Sequence, residues 1–521
     1  MPGNTRRQLA CLAVAVAVSR VSSEIYEYHL KLQEVTSSGN LRFRQSGMYA
    51  PHDAPSKTAP GNGHSFIDLG DMKLFPAPHE VQGYGRSGAT FVDVAVFESR
   101  HFDEIGVESD GVKHYCCTAE QRSLTGCHPL RSLIVNEAHH TNGSIDLIRI
   151  PVPLEEGSEP VTVADHAYML PGRKPYHKYK VKSTGLYTVL LANCDDTDAA
   201  DILVQGQTEW MNPYGYLPGE LYGMMPFFGV LASLYVVLGA VWLILCALNW
   251  SELLVLQMWI SVVVGMGMLE TGMKFADYLT FNAEGERNMG MLATGLVFGV
   301  TKRAVSRVLV VMVSLGYSIV KPSLGPQLHR VLLLGLIYFV LAVGYDMLVN
   351  LAGTNKNLGD PGFVDSLTLI VLFMSLVDVV FYMWILQALM QTIAYLDARK
   401  QSVKLQLFRR FRTVLIISVL FSIAWAIFTV VASAPKYFKR HWQSAWSVNA
   451  VWEVLYLIIL VAVAVLFMPS KNSQRYAYSL ELATVDPDDM EEDELDEDEA
   501  EYGGALDDGE AGGDNPVFPA A

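Results

Sequence analysis

The chain has 521 residues, of which 51% are hydrophobic, and its formal net charge is −16. The segment from Asp486 to Asp514 holds 16 acidic residues and no Lys or Arg, and the remainder of the chain is close to neutral. Because the second half contains many apolar runs longer than about 18 residues, the composition excludes an ordinary soluble protein and, together with the charge, a nucleic-acid-binding one.

Residues 1–23 have the pattern of a secretory signal peptide. Arg6 and Arg7 precede the apolar run LACLAVAVAV, and Val21 and Ser23 occupy the small-residue positions of a cleavage site. The apolar run has about ten residues, which is too short to cross a bilayer. We therefore expect cleavage after residue 23 and a mature chain that begins in the lumen.

Residues 24–220 are predicted to form a lumenal all-β domain. Period-two alternation rich in Val, Ile, Tyr and Thr recurs in EIYEYHLKLQEV, ATFVDVAVFES, RSLIVNE, SIDLIRI and YKVKSTGLYTVLLANC. This pattern indicates strands with one buried face, and several short strands without helical periodicity favour a β-sandwich. The intervening stretch 48–86 is rich in Gly, Pro, His and Ser and is predicted to be a long loop or an insertion.

Four cysteines fall in this domain, at Cys116, Cys117, Cys127 and Cys194. An even number in an oxidising compartment predicts two disulfide bonds rather than a metal site. Adjacent cysteines rarely bond to each other, so Cys116 and Cys117 are expected to take different partners, but the spacing does not decide which. Asn142 begins the sequence Asn-Gly-Ser and is a predicted glycosylation site.

The region 221–468 is predicted to form seven transmembrane helices, because each apolar stretch is long enough to cross a hydrocarbon core of about 30 Å. The predicted spans are 227–248, 253–279, 286–319, 326–351, 363–396, 406–432 and 443–468. With a lumenal amino terminus, seven spans place the region 469–521 in the cytoplasm as an acidic, disordered tail. Basic residues between spans five and six support this orientation, whereas Lys436, Lys439 and Arg440 oppose it.

Ionisable residues inside the spans are the strongest candidates for a functional site, because a charge facing lipid is energetically costly. These candidates are Glu270, Lys274, Lys302, Arg303, Arg307, Asp346, Asp378 and Glu453. One interpretation is an ion or ligand path. The other is a paired polar core that fixes how the helices pack. The chain lacks HExxH, GxSxG and Walker A motifs, so we expect neither enzymatic activity nor a cofactor.

Longer stretches resemble a known family. GLYTVLLANCD from Gly185, NPYGYLPGELYGMMPFFG before the first span, KRAVSRVLVVMVSLGYSIVKPSLG in the third span and MPSKNSQRYAYSL after the last are similar to the GOLD-domain seven-transmembrane family, in particular its transmembrane protein 87 branch. The resemblance covers about residues 175–480. It implies a GOLD-like β-sandwich followed by a seven-helix bundle with a cavity open to lipid.

The resemblance also implies residence in the Golgi membrane, with cycling to endosomes, and a role in membrane trafficking such as endosome-to-Golgi retrieval or cargo escort. The expected partners are membrane lipid, a lumenal cargo protein and cytosolic sorting adaptors. Asn515, Pro516 and Phe518 in NPVF have the form of a sorting motif. One alternative is a cation channel or transporter that uses the charges of spans two, three and five. The other is a receptor, which is disfavoured because span seven contains no NPxxY and span three ends without an acid-Arg-Tyr triplet.

Overall fold

A computed structural model describes residues 25–32, 41–57, 62–76, 89–109, 111–117, 127, 129–135, 145–153, 159–166, 168–169, 178–194, 202–320, 325–351, 361–432 and 434–469. Four of the predictions lie outside these residues. They are the signal peptide at 1–23, glycosylation at Asn142, nearly all of the acidic tail, and the sorting motif at Asn515, Pro516 and Phe518.

The amino-terminal part is all β. Its strands are β1 Ile25–Leu32, β2 Arg42–Met48, β3 Phe66–Asp68, β4 Lys73–Pro76, β5 Ala89–Glu98, β6 Val107–Ser109, β7 Val112–His114, β8 Ile145–Pro153, β9 Val161–Thr162, β10 Tyr168–Met169, β11 Lys178–Lys180, β12 Gly185–Asn193 and β13 Ile202–Met211. One sheet has the order β11-β3-β13-β4-β9, with β1 also paired to β13, and the other has the order β10-β8-β5-β12-β2. Each of these pairings is antiparallel.

The two sheets bury a shared apolar core. Val92, Val94 and Val96 of β5 face Val204 and Trp210 of β13, and all five are buried. Because alternate residues of a strand point to opposite faces, the Val residues of β5 enter this core while the residues between them face away from it. The predicted all-β fold class is therefore confirmed.

The prediction of a long loop at 48–86 was wrong in part. Strands β3 and β4 lie inside that stretch, and both pair with β13. Leu74, for example, lies opposite Val204 and is fully buried. Pairing with a strand more than 120 residues away in the chain overrides the local turn-rich composition.

The outer face of β5 and β12 is covered by a disulfide-linked segment. Cys116 bonds to Cys194 and Cys117 bonds to Cys127. The prediction of disulfide bonds is confirmed, and the adjacent cysteines do take different partners. Under this segment, Asp93 accepts a hydrogen bond from the Leu133 amide at 2.7 Å. Burial raises the pKa of Asp93 to about 6, although this hydrogen bond and nearby Arg149 oppose the shift.

Seven long helices follow within the described residues: α1 Met224–Leu248, α2 Val255–Glu284, α3 Met289–Ser314, α4 Pro326–Leu351, α5 Pro361–Ala398, α6 Ser402–Ala432 and α7 Ala445–Leu466. A short helix, Pro435–His441, connects α6 to α7. By length and composition, six segments of the described chain could cross a membrane, and they correspond to every helix of this set except α3. Helix α3 contains Lys302, Arg303 and Arg307, and it packs against α2, α4 and α5.

The β domain is fixed to one end of the helix bundle through Asn282, in the last turn of α2. The Asn282 side-chain amide donates to the Tyr214 carbonyl at 2.9 Å, and its side-chain oxygen accepts from the Leu217 amide at 3.2 Å. Gly215 lies between them at φ +139°, and an added Cβ there would collide with the Asn282 carbonyl. This junction holds the β domain directly over the helices.

Candidate functional site: a charged cavity inside the helix bundle

A cavity of about 800 Å³ lies inside the bundle, and every long helix contributes to its lining. One wall carries charged side chains of α2, α3 and α7. Another wall is apolar and includes Leu386 of α5 and Val419 and Leu420 of α6. Between 38% and 63% of the surface of these three apolar residues is free of protein contact. The cavity is therefore amphipathic, and protein packing does not fill its apolar side.

Four charged side chains form a closed cluster in the polar wall, which we call the charge quartet: Glu270 and Lys274 of α2, Lys302 of α3 and Glu453 of α7. Lys274 Nζ lies 2.7 Å from Glu270 Oε1 and 2.8 Å from Glu453 Oε1. Lys302 Nζ lies 3.3 Å from Glu453 Oε2 and also contacts Glu270. Each cation contacts both carboxylates, so the quartet is electrically neutral as a whole.

Local sequence explains how the quartet assembles. Glu270 and Lys274 are four residues apart and share one face of α2. Gly299 lets α3 approach that face, because an added Cβ would come within 2.6 Å of the Glu270 carboxylate. Lys302, one turn further along α3, is only 2% exposed, and its ammonium lies 4.2 Å from the centre of the Tyr456 ring. The cation–π contact adds to the ion pairs in holding the ammonium inside the bundle.

Two arginines extend the polar wall along α3. Arg303 pairs with Asp346 of α4. Arg307 Nε lies 2.9 Å from Asp378 Oδ1 of α5, and the Arg307 guanidinium stacks 4.0 Å from the ring centre of Tyr338. Helix α3 is thus linked by charge to α2, α4, α5 and α7, which explains how a helix with three basic residues can occupy the centre of the bundle.

The structure brings all eight predicted ionisable residues into ion pairs. Seven of them line the cavity, and the eighth, Asp378, is paired with Arg307, which lines it. Sequence reasoning missed Tyr456, which accompanies Lys302 and hydrogen-bonds to Ser306, because an aromatic residue in an apolar helix carries no distinguishing pattern. It also missed Arg287, which pairs with Asp277 at 2.8 Å, because Arg287 stands at the edge of a predicted span.

Within the described part of the chain, no group of three or more His, Cys, Asp or Glu side chains is arranged to hold a metal ion. The carboxylates of the quartet already contact lysine ammonium groups. What the cavity offers chemically is therefore a polar wall of compensated charges opposite an apolar wall. That combination suits a ligand with a polar head and an apolar body.

The β domain, the helices and the buried charges together define a multi-pass membrane protein with an amino-terminal β-sandwich. Residues 223–474 match the family model described as "GOST, seven transmembrane domain". This part of the chain is therefore a GOST-type seven-transmembrane domain, and the seven-helix fold class predicted from the sequence is confirmed.

Sequence comparison with known proteins identifies relatives of the chain. The chain is 35% identical to Transmembrane protein 87A of Homo sapiens over 271 residues, covering 52% of this chain and 47% of the relative. It is 33% identical to Transmembrane protein 87B of Mus musculus over 285 residues, covering 55% and 49%. It is also 27% identical to Membrane protein PTM1 of Saccharomyces cerevisiae over 333 residues, covering 61% and 60%. The resemblance to the transmembrane protein 87 branch is thus confirmed, and the chain spans about half the length of the first two relatives.

Proposed function

We propose that this protein escorts cargo in membrane trafficking, in retrieval from endosomes to the Golgi, and that the cavity in the bundle is the site where an amphipathic part of the cargo is held. The observation that carries the proposal is the amphipathic cavity in a bundle to which the β domain is joined by the hydrogen bonds of Asn282. In this proposal the protein resides in the Golgi membrane, cycles to endosomes, and has a lumenal β domain and a cytoplasmic carboxyl terminus.

The two walls of the cavity have separate tasks in this proposal. Leu386, Val419 and Leu420 offer an apolar surface to an acyl chain or an apolar helix face. Opposite them, the quartet offers ammonium and carboxylate groups whose charges already compensate one another. The polar head of the cargo can therefore form hydrogen bonds with these groups while each buried charge keeps a partner of opposite sign. The β domain above the cavity would contact the lumenal part of the cargo.

A cavity-filling substitution tests this function. Gly295 lines the cavity, and a Cβ added there meets Met273 only at 3.7 Å, so Gly295→Phe can direct its ring into the space. Gly272 is exposed, and an added Cβ there meets no atom within 4 Å, so Gly272→Phe is a control of the same size outside the cavity. Both variants are expressed in cells that lack the protein, and the return of an endocytosed Golgi reporter is measured.

We expect the wild type and Gly272→Phe to restore retrieval and Gly295→Phe to fail although it reaches the same membrane at the same level. If Gly295→Phe restored retrieval, the cavity would not be the site that holds the cargo.

The membrane orientation is tested with sealed microsomes, in which added protease should cleave only the acidic carboxyl-terminal end. Deletion of residues 482–521 tests the sorting role, which would be excluded by unchanged steady-state localisation.

A second candidate function is cation conduction, and the observation that favours it is the row of ionisable side chains along the cavity. The pairing of these side chains disfavours it, because a permeating cation would have to compete with Lys274 and Lys302 for Glu270 and Glu453. Purified protein in liposomes should pass no cation current under a voltage or proton gradient if cargo escort is the function. A current that Lys302→Met alters in a folded protein would favour conduction.

A further inference from the structure

At the end of the bundle opposite the β domain, α6 carries three arginines that we call the arginine segment: Arg409, Arg410 and Arg412. All three are exposed, whereas Phe408 and Phe411 between them are completely buried. The two phenylalanines lie on one face of α6, one turn apart, and anchor it. The arginines therefore project from the remaining faces, and Arg412 also lines the cavity.

The positive charge of this segment is mostly uncompensated. Arg409 lies 3.4 Å from Asp397, but both side chains are more than half exposed, so this pair is weak. Arg410 and Arg412 make no ion pair within the described residues. Nearby Lys404 differs, because it is partly buried and its ammonium donates to the Ile319 carbonyl at 3.3 Å.

The chain leaves the bundle beside these arginines. The Phe467 ring, just after α7, packs against the ring of Phe411 with centroids 6.0 Å apart. The Phe467 carbonyl also accepts a hydrogen bond from the side chain of buried Gln257, at the start of α2, at 3.3 Å. The point where α7 ends is thus fixed next to the arginine segment. Everything after residue 469 is tethered there.

The tethered segment has the complementary charge. Residues 486–514 contain 16 acidic residues and no basic one, and 16 residues separate them from the end of the described chain at Pro469. A random-coil chain of 16 residues has a root-mean-square span of about 22 Å. Tethering at such a distance gives the acidic segment an effective concentration on the order of millimolar at the arginine segment. Even weak ion pairs between the two segments then become populated.

We propose that the acidic segment 486–514 docks on the arginine segment of its own chain. An anionic membrane lipid is the competing occupant. The tail is favoured because its attachment point is packed against α6 itself and because its 16 acidic residues complement the charge of the arginine segment.

The test uses the full-length protein in nanodiscs of neutral lipid. Ser402→Cys at the start of α6 and Gly504→Cys in the acidic segment are labelled as a donor–acceptor pair, and energy transfer between them is measured. Within the described residues the one free cysteine, Cys246, is buried, and the four cysteines of the β domain are paired; Cys11 falls in the predicted signal peptide. We expect strong transfer at low salt and its loss at high salt, because exposed charges are screened.

Two matched variants each replace three basic residues by Gln. Arg409→Gln/Arg410→Gln/Arg412→Gln should lower the docked-to-undocked ratio about tenfold, because three exposed ion pairs are lost. Arg42→Gln/Lys180→Gln/Arg440→Gln removes three exposed basic residues from the β domain and the opposite end of the bundle, and it should leave the transfer unchanged.

Equal transfer in the two triple variants would overturn the proposal. So would a result in which transfer is low in neutral lipid and the arginine segment instead governs salt-dependent binding of anionic lipid, because the occupant would then be the membrane. These outcomes do not depend on cargo escort, since the measurement involves neither cargo nor trafficking.

Discussion

The charge quartet makes a quantitative prediction at Lys302. Replacing it by Met removes a cation that is 2% exposed and leaves Glu270 and Glu453 to share the ammonium of Lys274. Removing one partner of a buried ion pair costs about 3–5 kcal/mol. Because Lys274 still contacts both carboxylates, we expect a loss at the lower end of that range, about 3 kcal/mol.

A second substitution separates charge imbalance from lost packing. In Lys302→Met/Glu453→Gln the remaining Glu270 and Lys274 form a neutral pair at 2.7 Å. The double variant should therefore lose only about 1 kcal/mol, which is about 2 kcal/mol less than Lys302→Met alone loses. Lys180→Met, at an exposed position of the β domain, controls for loss of a lysine as such and should change the stability by less than about 0.5 kcal/mol.

The measurement is an unfolding titration of the full-length protein in mixed micelles with increasing denaturing detergent, followed by tryptophan fluorescence. Lys302→Met should unfold at a clearly lower detergent fraction than the wild type, and the double variant should lie between them. If Lys302→Met behaved like Lys180→Met, or if the double variant were less stable than the single one, the quartet could not be a charge-compensated unit.

Three other predictions concern the β domain, each tested on the full-length protein. Burial raises the pKa of Asp93 to about 6, so the contribution of Asp93 to stability should be greatest below about pH 4, fall as the pH rises to about 6 and then stay level. The resulting gain of about 1 kcal/mol at pH 5 over pH 7 should vanish in Asp93→Asn, as hydrogen exchange of the β domain would reveal. Gly215→Ala should destabilise the junction by about 2 kcal/mol, detected as faster proteolysis there; unchanged proteolysis would contradict the role of Gly215. Removing the Cys116–Cys194 bond, which spans 78 residues, should cost about 4.5 kcal/mol in thermal unfolding by the chain-entropy relation. A cost below about 1 kcal/mol would show that the relation does not apply here.

The β domain contains two short strands, β3 and β4, that the local sequence pattern did not predict. Alternation predicted β5 and β12 because each of those strands is long enough to display its own period. Strands β3 and β4 have three and four residues, too few to display one. They are strands because β13 supplies their hydrogen-bond partners, and that partnership is a long-range property.

The sequence by itself determined that the chain enters a membrane, that β structure precedes the helices, and which ionisable residues must be hidden. The reason is that the bilayer acts on each segment separately, through its length, its apolarity and the cost of each charge. Only the tertiary structure decided that Lys302 contacts Glu453, 151 residues away, that Cys116 bonds to Cys194, and that the buried charges surround a cavity. Those pairings depend on which helices and loops become neighbours, and no short stretch of sequence carries that information.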